Sequence, residues 1–140
     1  KLDQPYPQVQ LLETGGMKGH GPERIREEVH AALRPLIAAS EIGSEYGMTE
    51  LLSQAWSSGH GRFTTPPWMR VRLASVNDPG AWAPQGKQGR ICVMDLANLA
   101  SCAFIETSDI GRMHADGTFE VLGRFDHAEV RGCNLLTVEG

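Results

Sequence analysis

The chain changes texture at about His60, and that change limits its fold more than any other feature. Beyond it, Pro66, Pro67, Pro79 and Pro84, with several glycines, interrupt the backbone too often for a long helix. What remains between the interruptions is short and alternating. Met69-Arg70-Val71-Arg72-Leu73-Ala74 has the period of two expected of a half-buried strand, and Arg90 to Leu96 reads as another. Ile110 to His114 and Thr118 to Leu122 flank Ala115-Asp116-Gly117, an Asp-Gly hairpin signal. Residues 63–140 are therefore expected to be mostly antiparallel β, with a small distorted barrel as one way of closing the sheet.

Residues 1–62 read differently. Val9 to Leu12 is a short strand that ends at the small-residue turn Glu13-Thr14-Gly15-Gly16. Pro22-Glu23 opens a helix, with proline in the first turn and acids near the positive end of the dipole. Ile25, Val29, Ala32, Leu33, Leu36 and Ile37 recur at three and four residues and supply one buried face. Pro35 either kinks that helix or marks its last turn. Ala38 to Tyr46 runs through a second strand into a loop. Strand, helix and strand of this length form a parallel crossover at a sheet edge. The expected fold class is thus α+β: an edge α/β crossover unit followed by antiparallel β.

Composition excludes several function classes. A length of 140 residues and a hydrophobic fraction of 41% suit one soluble domain or a piece of something larger. A net charge of −4 argues against a nucleic-acid binder, which usually presents a basic face. No apolar run approaches the ~20 residues needed to span a bilayer, and no signal-peptide pattern follows Lys1, so a cytoplasmic setting is expected. Cys92, Cys102 and Cys133 are an odd number without Cys-x-x-Cys spacing, which disfavours a disulfide framework or a four-cysteine zinc site. Cys92 and Cys102 lie among apolar residues and read as small core hydrophobes. His20, His60, His114 and His127 have no ligand spacing, and His30 sits in the polar pattern of the helix. Trp56, Trp68 and Trp82 read as packing residues, with Trp56 close enough to Tyr46 to line an acyl pocket.

Two runs carry chemistry. In Ser44-Glu45-Tyr46-Gly47-Met48-Thr49-Glu50, an aromatic ring, a hydroxyl and a carboxylate lie within five residues, around Gly47. A tyrosine face can stack on a base, a threonine hydroxyl can donate to phosphate, and a carboxylate is a hard oxygen ligand for magnesium. The plain alternative is a turn that starts a helix, with Thr49 as its cap. Downstream, Thr107-Ser108-Asp109-Ile110-Gly111 precedes Gly123-Arg124-Phe125-Asp126. Asp109 suits the paired hydroxyls of a ribose, or is simply an aspartate in a turn before a hairpin. Arg124 can reach ribose or phosphate oxygens, or bridge to Asp109, Asp126 or Glu129. Gly15-Gly16 permits close approach to a flat ligand or is a plain turn, and Lys18 is a solvated loop lysine or a phosphate contact.

Taken in order, these runs resemble the adenylate-forming superfamily of acyl-CoA synthetases, luciferases and peptide-synthetase adenylation domains. Tyr46 to Glu50 matches its Tyr-Gly-x-Thr-Glu motif, Thr107-Ser108-Asp109 its Thr-Gly-Asp motif, and Gly123 to Asp126 its Gly-Arg-x-Asp hinge. Gly15-Gly16-Met17-Lys18-Gly19 and Glu129 to Leu135 more closely resemble the LuxE-like acyl-protein synthetases, with phenylacetate-CoA ligases as relatives. The resemblance implies that Gly15, Gly16, Tyr46, Gly47, Thr49, Asp109 and Arg124 bind ATP or AMP. It implies that Glu50 supports Mg2+. The catalytic set would be Thr49, Glu50, Arg124 and Cys133, and the partners a carboxylic acid and a thiol acceptor.

That acceptor is free CoA, a carrier protein or the protein's own Cys133, which is otherwise a buried structural cysteine beside a glycine turn. A phenylacetate-CoA-ligase-type enzyme and a non-catalytic nucleotide-binding module remain alternatives. The sequence departs from the superfamily in three ways. Ser108 replaces the usual glycine, Glu129-Val130 stands where a lysine is usual after the hinge, and the upstream Ser/Thr/Gly-rich phosphate loop and the C-terminal catalytic lysine are missing. The chain therefore looks like a C-terminal piece that lacks its upstream part, and little ligase activity is expected of it in isolation.

Overall fold

The structure is a computed structural model that describes residues 10–14, 26–36, 42–78 and 80–125. They fall into two compact units, one within Lys1–Arg70 and Asp95–Ala103, the other within Val71–Met94 and Phe104–Gly140. The fold is α+β.

In the first unit, β1 (Leu12–Glu13) and β2 (Gly43–Tyr46) run parallel, with Leu12 opposite Gly43 and Glu13 opposite Ser44. The intervening chain contains α1 (Arg26–Leu33) and a 3-10 turn (Arg34–Leu36), so the expected crossover is present. Pro35 falls in the 3-10 turn, where its missing N–H and fixed φ do not break an α-helical ladder. Two details differ from expectation. Glu13 belongs to the strand rather than to the turn. His30, expected on the polar side of the helix, is buried with its Nε2 3.7 Å from the Glu13 carboxylate, while Ala32 is exposed.

The third strand, β3 (Ala55–Ser57), is antiparallel to β2, pairing Ser44 with Ser57 and Tyr46 with Ala55. The tight turn at His60 leads to β4 (Arg62–Phe63), and backbone bonds of 3.0 and 2.8 Å join Trp56 to Thr64. Among the described residues of this unit, Ile42, Tyr46, Leu51, Ala55, Phe63 and Met69 are the buried apolar ones.

The second unit is a curled antiparallel sheet in which β8 (Phe119–Arg124), β7 (Phe104–Met113), β6 (Gln88–Asp95) and β5 (Met69–Ala74) lie side by side in that order. Every other residue of β6 is buried, as alternation predicts for a sheet with one covered face. Val71, Leu73, Ile91, Val93 and Phe119 form its core. Strand β7 begins six residues before the expected hairpin arm, so Thr107, Ser108 and Asp109 lie within a strand and not in a turn ahead of it.

Other expectations fail on burial. Cys102 is exposed and Cys92 only partly covered, so neither is a core residue. Trp56, Trp68 and Trp82 are 46%, 52% and 52% exposed. Trp68 uses its indole N–H on Ser53 Oγ and Trp82 carries the Arg72 guanidinium 3.9 Å from its ring centroid, so both stay half in solvent, a common compromise for a large ring with a polar edge.

Candidate functional site

The first unit assembles the Tyr46–Glu50 run. Tyr46 is the last residue of β2. Alternation along the strand turns its ring inward, where it is 8% exposed and meets Phe63 at a centroid distance of 6.0 Å and a tilt of 60°. Gly47 follows in the open, with the Gln54 side chain lying across it. Thr49 and Glu50 occupy an exposed turn closed by the bond from Leu51 N to Met48 O, 3.1 Å. No helix starts there: the chain passes through Leu51 to Gln54 and enters β3. Beside this segment, Leu52, Gln54, Trp56, Pro66 and Trp68 line an open groove of about 300 Å³.

What holds the turn was not visible in the motif. The Asp95 carboxylate at the end of β6 is fully buried and accepts four hydrogen bonds. Leu52 N (2.9 Å) and Ser53 N (2.8 Å) donate to Oδ2, while Ser53 Oγ (2.7 Å) and Ala97 N (3.1 Å) donate to Oδ1. Burial pushes its pKa up, but the bonds from the Ser53 hydroxyl, Ser53 N, Ala97 N and Leu52 N outweigh that and hold it below the ordinary carboxylate value. Trp68 Nε1 donates to Ser53 Oγ at 2.9 Å and extends the network. Asp95 also caps a 3-10 turn (Leu96–Asn98). An aspartate closing an apolar strand, with a small-residue turn after it, is the cap signal that could have revealed it.

In the second unit, Asp109 and Arg124 are direct cross-strand partners at the open end of the β7–β8 hairpin. Arg124 Nε lies 3.6 Å from Asp109 Oδ1; the carboxylate is 18% exposed and the guanidinium side chain 79%. Irregular register brackets the pair. The β6–β7 ladder shifts between Arg90 and Cys92, and the β7–β8 ladder shifts between Ile110 and Gly111, where Leu122 is the surplus residue. Gly123, next to it, has φ of +147°, which an L side chain rarely adopts; this is a physical reason for a glycine before the arginine. Thr107 braces the inner side, with Oγ1 donating to Ile91 O and accepting from Asp109 N, both at 3.0 Å.

The expected site residues are thus placed in two sets: Tyr46, Gly47, Thr49 and Glu50 in one unit, Asp109 and Arg124 in the other. Gly15, Gly16, Lys18, Asp126 and Cys133 lie outside the described residues. Among the described residues, no group of three or more His, Cys, Asp or Glu side chains could hold a metal, and no helix is long and apolar enough to cross a membrane.

Neither a protein-family model nor a curated protein matches the chain. Solved structures do. Apo MatB from Rhodopseudomonas palustris matches with a TM-score of 0.58 at 17% identity, over 82% of this chain and 25% of its own. McyG A-PCP complexed with phenylalanyl-adenylate matches with a TM-score of 0.57 at 19% identity, over 82% of this chain and 24% of its own. O-succinylbenzoate coenzyme A synthetase (MenE) from Bacillus subtilis, in complex with AMP, gives 0.51 at 20% identity, over 76% of this chain and 32% of its own. The chain spans a quarter to a third of the length of these structures. What it shares with them is a fold, that of one portion of an adenylate-bound protein and of a coenzyme A synthetase.

Proposed function

We propose that this chain is part of an ATP-dependent acid–thiol ligase, which converts a carboxylic acid to acyl-AMP with release of pyrophosphate and then passes the acyl group to a thiol. The observation that carries the proposal is the Asp109–Arg124 pair. A carboxylate and a guanidinium meet across the bulged end of a hairpin, an arrangement suited to ribose hydroxyls on one side and an anionic oxygen on the other. Likeness of fold to structures holding AMP and an aminoacyl-adenylate supports it.

The residues fit ATP and magnesium. Magnesium takes one or two protein carboxylates and completes its shell with phosphate and water. Glu50, exposed on its turn, would supply one. Bound magnesium would neutralise phosphate charge during attack at phosphorus. On this reading, in the first unit Thr49 suits a phosphate oxygen and Tyr46 with Gly47 the edge of a base; in the second, Asp109 suits a ribose and Arg124 an anionic oxygen. Gly15 and Gly16, which lie outside the described residues, are glycines of the kind that permit close backbone approach to a flat ligand. The groove at Trp56 offers an apolar wall to the acid. The protein's share of the first step is positioning and charge neutralisation.

The thiol acceptor is the finer question. The likeness of Glu129 to Leu135 to the LuxE-like branch supports Cys133, with Arg131 favouring its thiolate; free CoA or a carrier protein is the other route. The test uses the full-length protein, Mg-ATP and a panel of aliphatic and aromatic acids. Pyrophosphate release that depends on the acid is expected, with acyl-enzyme trapped on wild type and lost in Cys133→Ser. Mg-ATP binding without pyrophosphate release would make it a nucleotide-binding module, and absence of binding would end the reading altogether.

A further inference from the structure

Glu50 and Thr49 stand on an exposed turn, yet the main chain leaving that turn is among the most tightly held in the first unit. Asn98, 4% exposed, donates from Nδ2 to Glu50 O at 2.7 Å and to Cys102 O at 2.9 Å. Three residues earlier, Asp95 takes the main-chain N–H groups of Leu52 and Ser53. The 3-10 turn Leu96–Asn98 thereby grips residues 50, 52 and 53 from one side. Its two polar side chains come from a segment more than forty positions downstream, as the separations of 48, 43 and 42 residues show. Burying a carboxylate and a carboxamide is unfavourable unless their bonds are satisfied. Here the bonds are spent on one short stretch of backbone, the stretch that carries the proposed magnesium carboxylate.

We propose that Asn98 and Asp95 are positioning residues for Glu50 and Thr49. They fix the backbone from which the Glu50 carboxylate reaches the magnesium of bound ATP. A long, exposed glutamate has many rotamers; anchoring its own carbonyl removes backbone freedom and leaves fewer arrangements to be lost on binding. This inference rests on the ligase reading above. It predicts that Asn98 acts on metal-dependent nucleotide binding without touching the nucleotide.

The experiment uses the full-length protein and measures ATP binding by calorimetry across a MgCl2 series, beside steady-state pyrophosphate release. In Asn98→Ala, the Mg2+ concentration for half-maximal ATP binding should rise about tenfold or more, the scale seen when a ligand's supporting hydrogen bond is lost. ATP binding without magnesium and the KM for the acid should stay at wild-type values. Asn98→Ser keeps a donor and serves if the alanine variant does not fold. In a Glu50→Gln background, Asn98→Ala should add less than about twofold, because the carboxylate it positions is gone. A purely structural role would weaken magnesium-free binding and acid KM alike and would add fully to Glu50→Gln. Either that pattern or an unchanged magnesium series in a folded variant overturns the inference while leaving the ligase reading intact. A wild-type protein that binds no ATP sinks the ligase reading, and this inference with it.

Discussion

Replacing Asp95 with asparagine tests a buried carboxylate that accepts four hydrogen bonds. Each carboxylate oxygen accepts two hydrogen bonds, so all four donors are satisfied. Asparagine keeps one acceptor oxygen. Turned one way its amide faces two N–H donors, Leu52 N and Ser53 N; turned the other way it faces Ala97 N and the Ser53 hydroxyl, which would have to rotate to accept. A hydrogen bond to a charged group contributes about 1.5–3 kcal/mol, and a buried donor left unpaired costs about 1–3 kcal/mol. Because the losses overlap, Asp95→Asn should cost about 3–5 kcal/mol, the range for breaking a buried charged network. That is a large part of the roughly 5–15 kcal/mol that holds a domain. With a urea slope of about 2 kcal/mol per molar, the midpoint should fall by about 2 M.

Tryptophan fluorescence suits the assay, since Trp68 is bonded to Ser53 within the same network. The pH dependence has a definite sign. Burial raises the Asp95 pKa, but the Ser53, Ala97 and Leu52 hydrogen bonds bring it below its ordinary 3.8. A depressed folded pKa gives stability that is complete above the unfolded value and lost as pH falls through the folded value. The gap between wild type and Asp95→Asn should therefore be constant near neutrality and shrink as pH drops below about 4. A midpoint shift under about 0.5 M, or a gap that widens on acidification, would refute the reasoning.

Three further outcomes are expected. Gly111→Ala places a methyl 2.7 Å from Glu120 O and 2.9 Å from two carbons of Ile91, so thermal unfolding should report a loss of about 1–3 kcal/mol; wild-type stability would mean that β7 and β8 separate more easily than drawn. Arg124→Ala should change stability by less than about 1 kcal/mol, since the side chain is 79% exposed, yet raise the full-length protein's KM for ATP about tenfold or more; an unchanged KM would remove Arg124 from the nucleotide site. The Cys92 thiol is pushed up by burial and by Glu106, against smaller opposing effects of the Ala74 backbone, Arg90 and Arg72, so iodoacetamide should label it slowly until the pH is well alkaline; labelling as fast as exposed Cys102, read by peptide mass, would contradict this.

Regular elements were legible from the sequence where local pattern and tertiary demand agree. Met69 to Ala74 alternates because one sheet face is buried, and the observed strand has those bounds. The crossover at the start was legible for the same reason. Burial of single residues was less so. The Glu13 carboxylate lies 3.7 Å from His30 Nε2, which helical periodicity cannot reveal, and the tryptophans read as packing residues because hydrophobicity alone does not count the polar edge of an indole.

Of the candidate site, residue types and order pointed to Asp109 and Arg124, and the cross-strand register explains how two positions fifteen apart come to face each other. The Asp95–Asn98 clamp was illegible because its partners are more than forty residues away and most of them are backbone atoms, which carry no sequence signature.

Leu122 sets the parity of the hairpin. Were Leu122 paired within the ladder instead of bulged out of it, the register that runs from Met113 opposite Phe119 would put Gly123 across from Asp109 and Arg124 across from Ser108. Side chains alternate between the faces of a sheet, so the arginine and the aspartate would then point away from each other. Deleting Leu122 outright would remove the bulge but keep the pair, because Gly123 would follow Val121 opposite Ile110 and Arg124 would still face Asp109. Lengthening the tip at Asp116-Gly117 would leave the pair untouched. The ladder therefore carries information that neither motif contains: whether Leu122 stands out of the register or within it decides whether the two motifs meet.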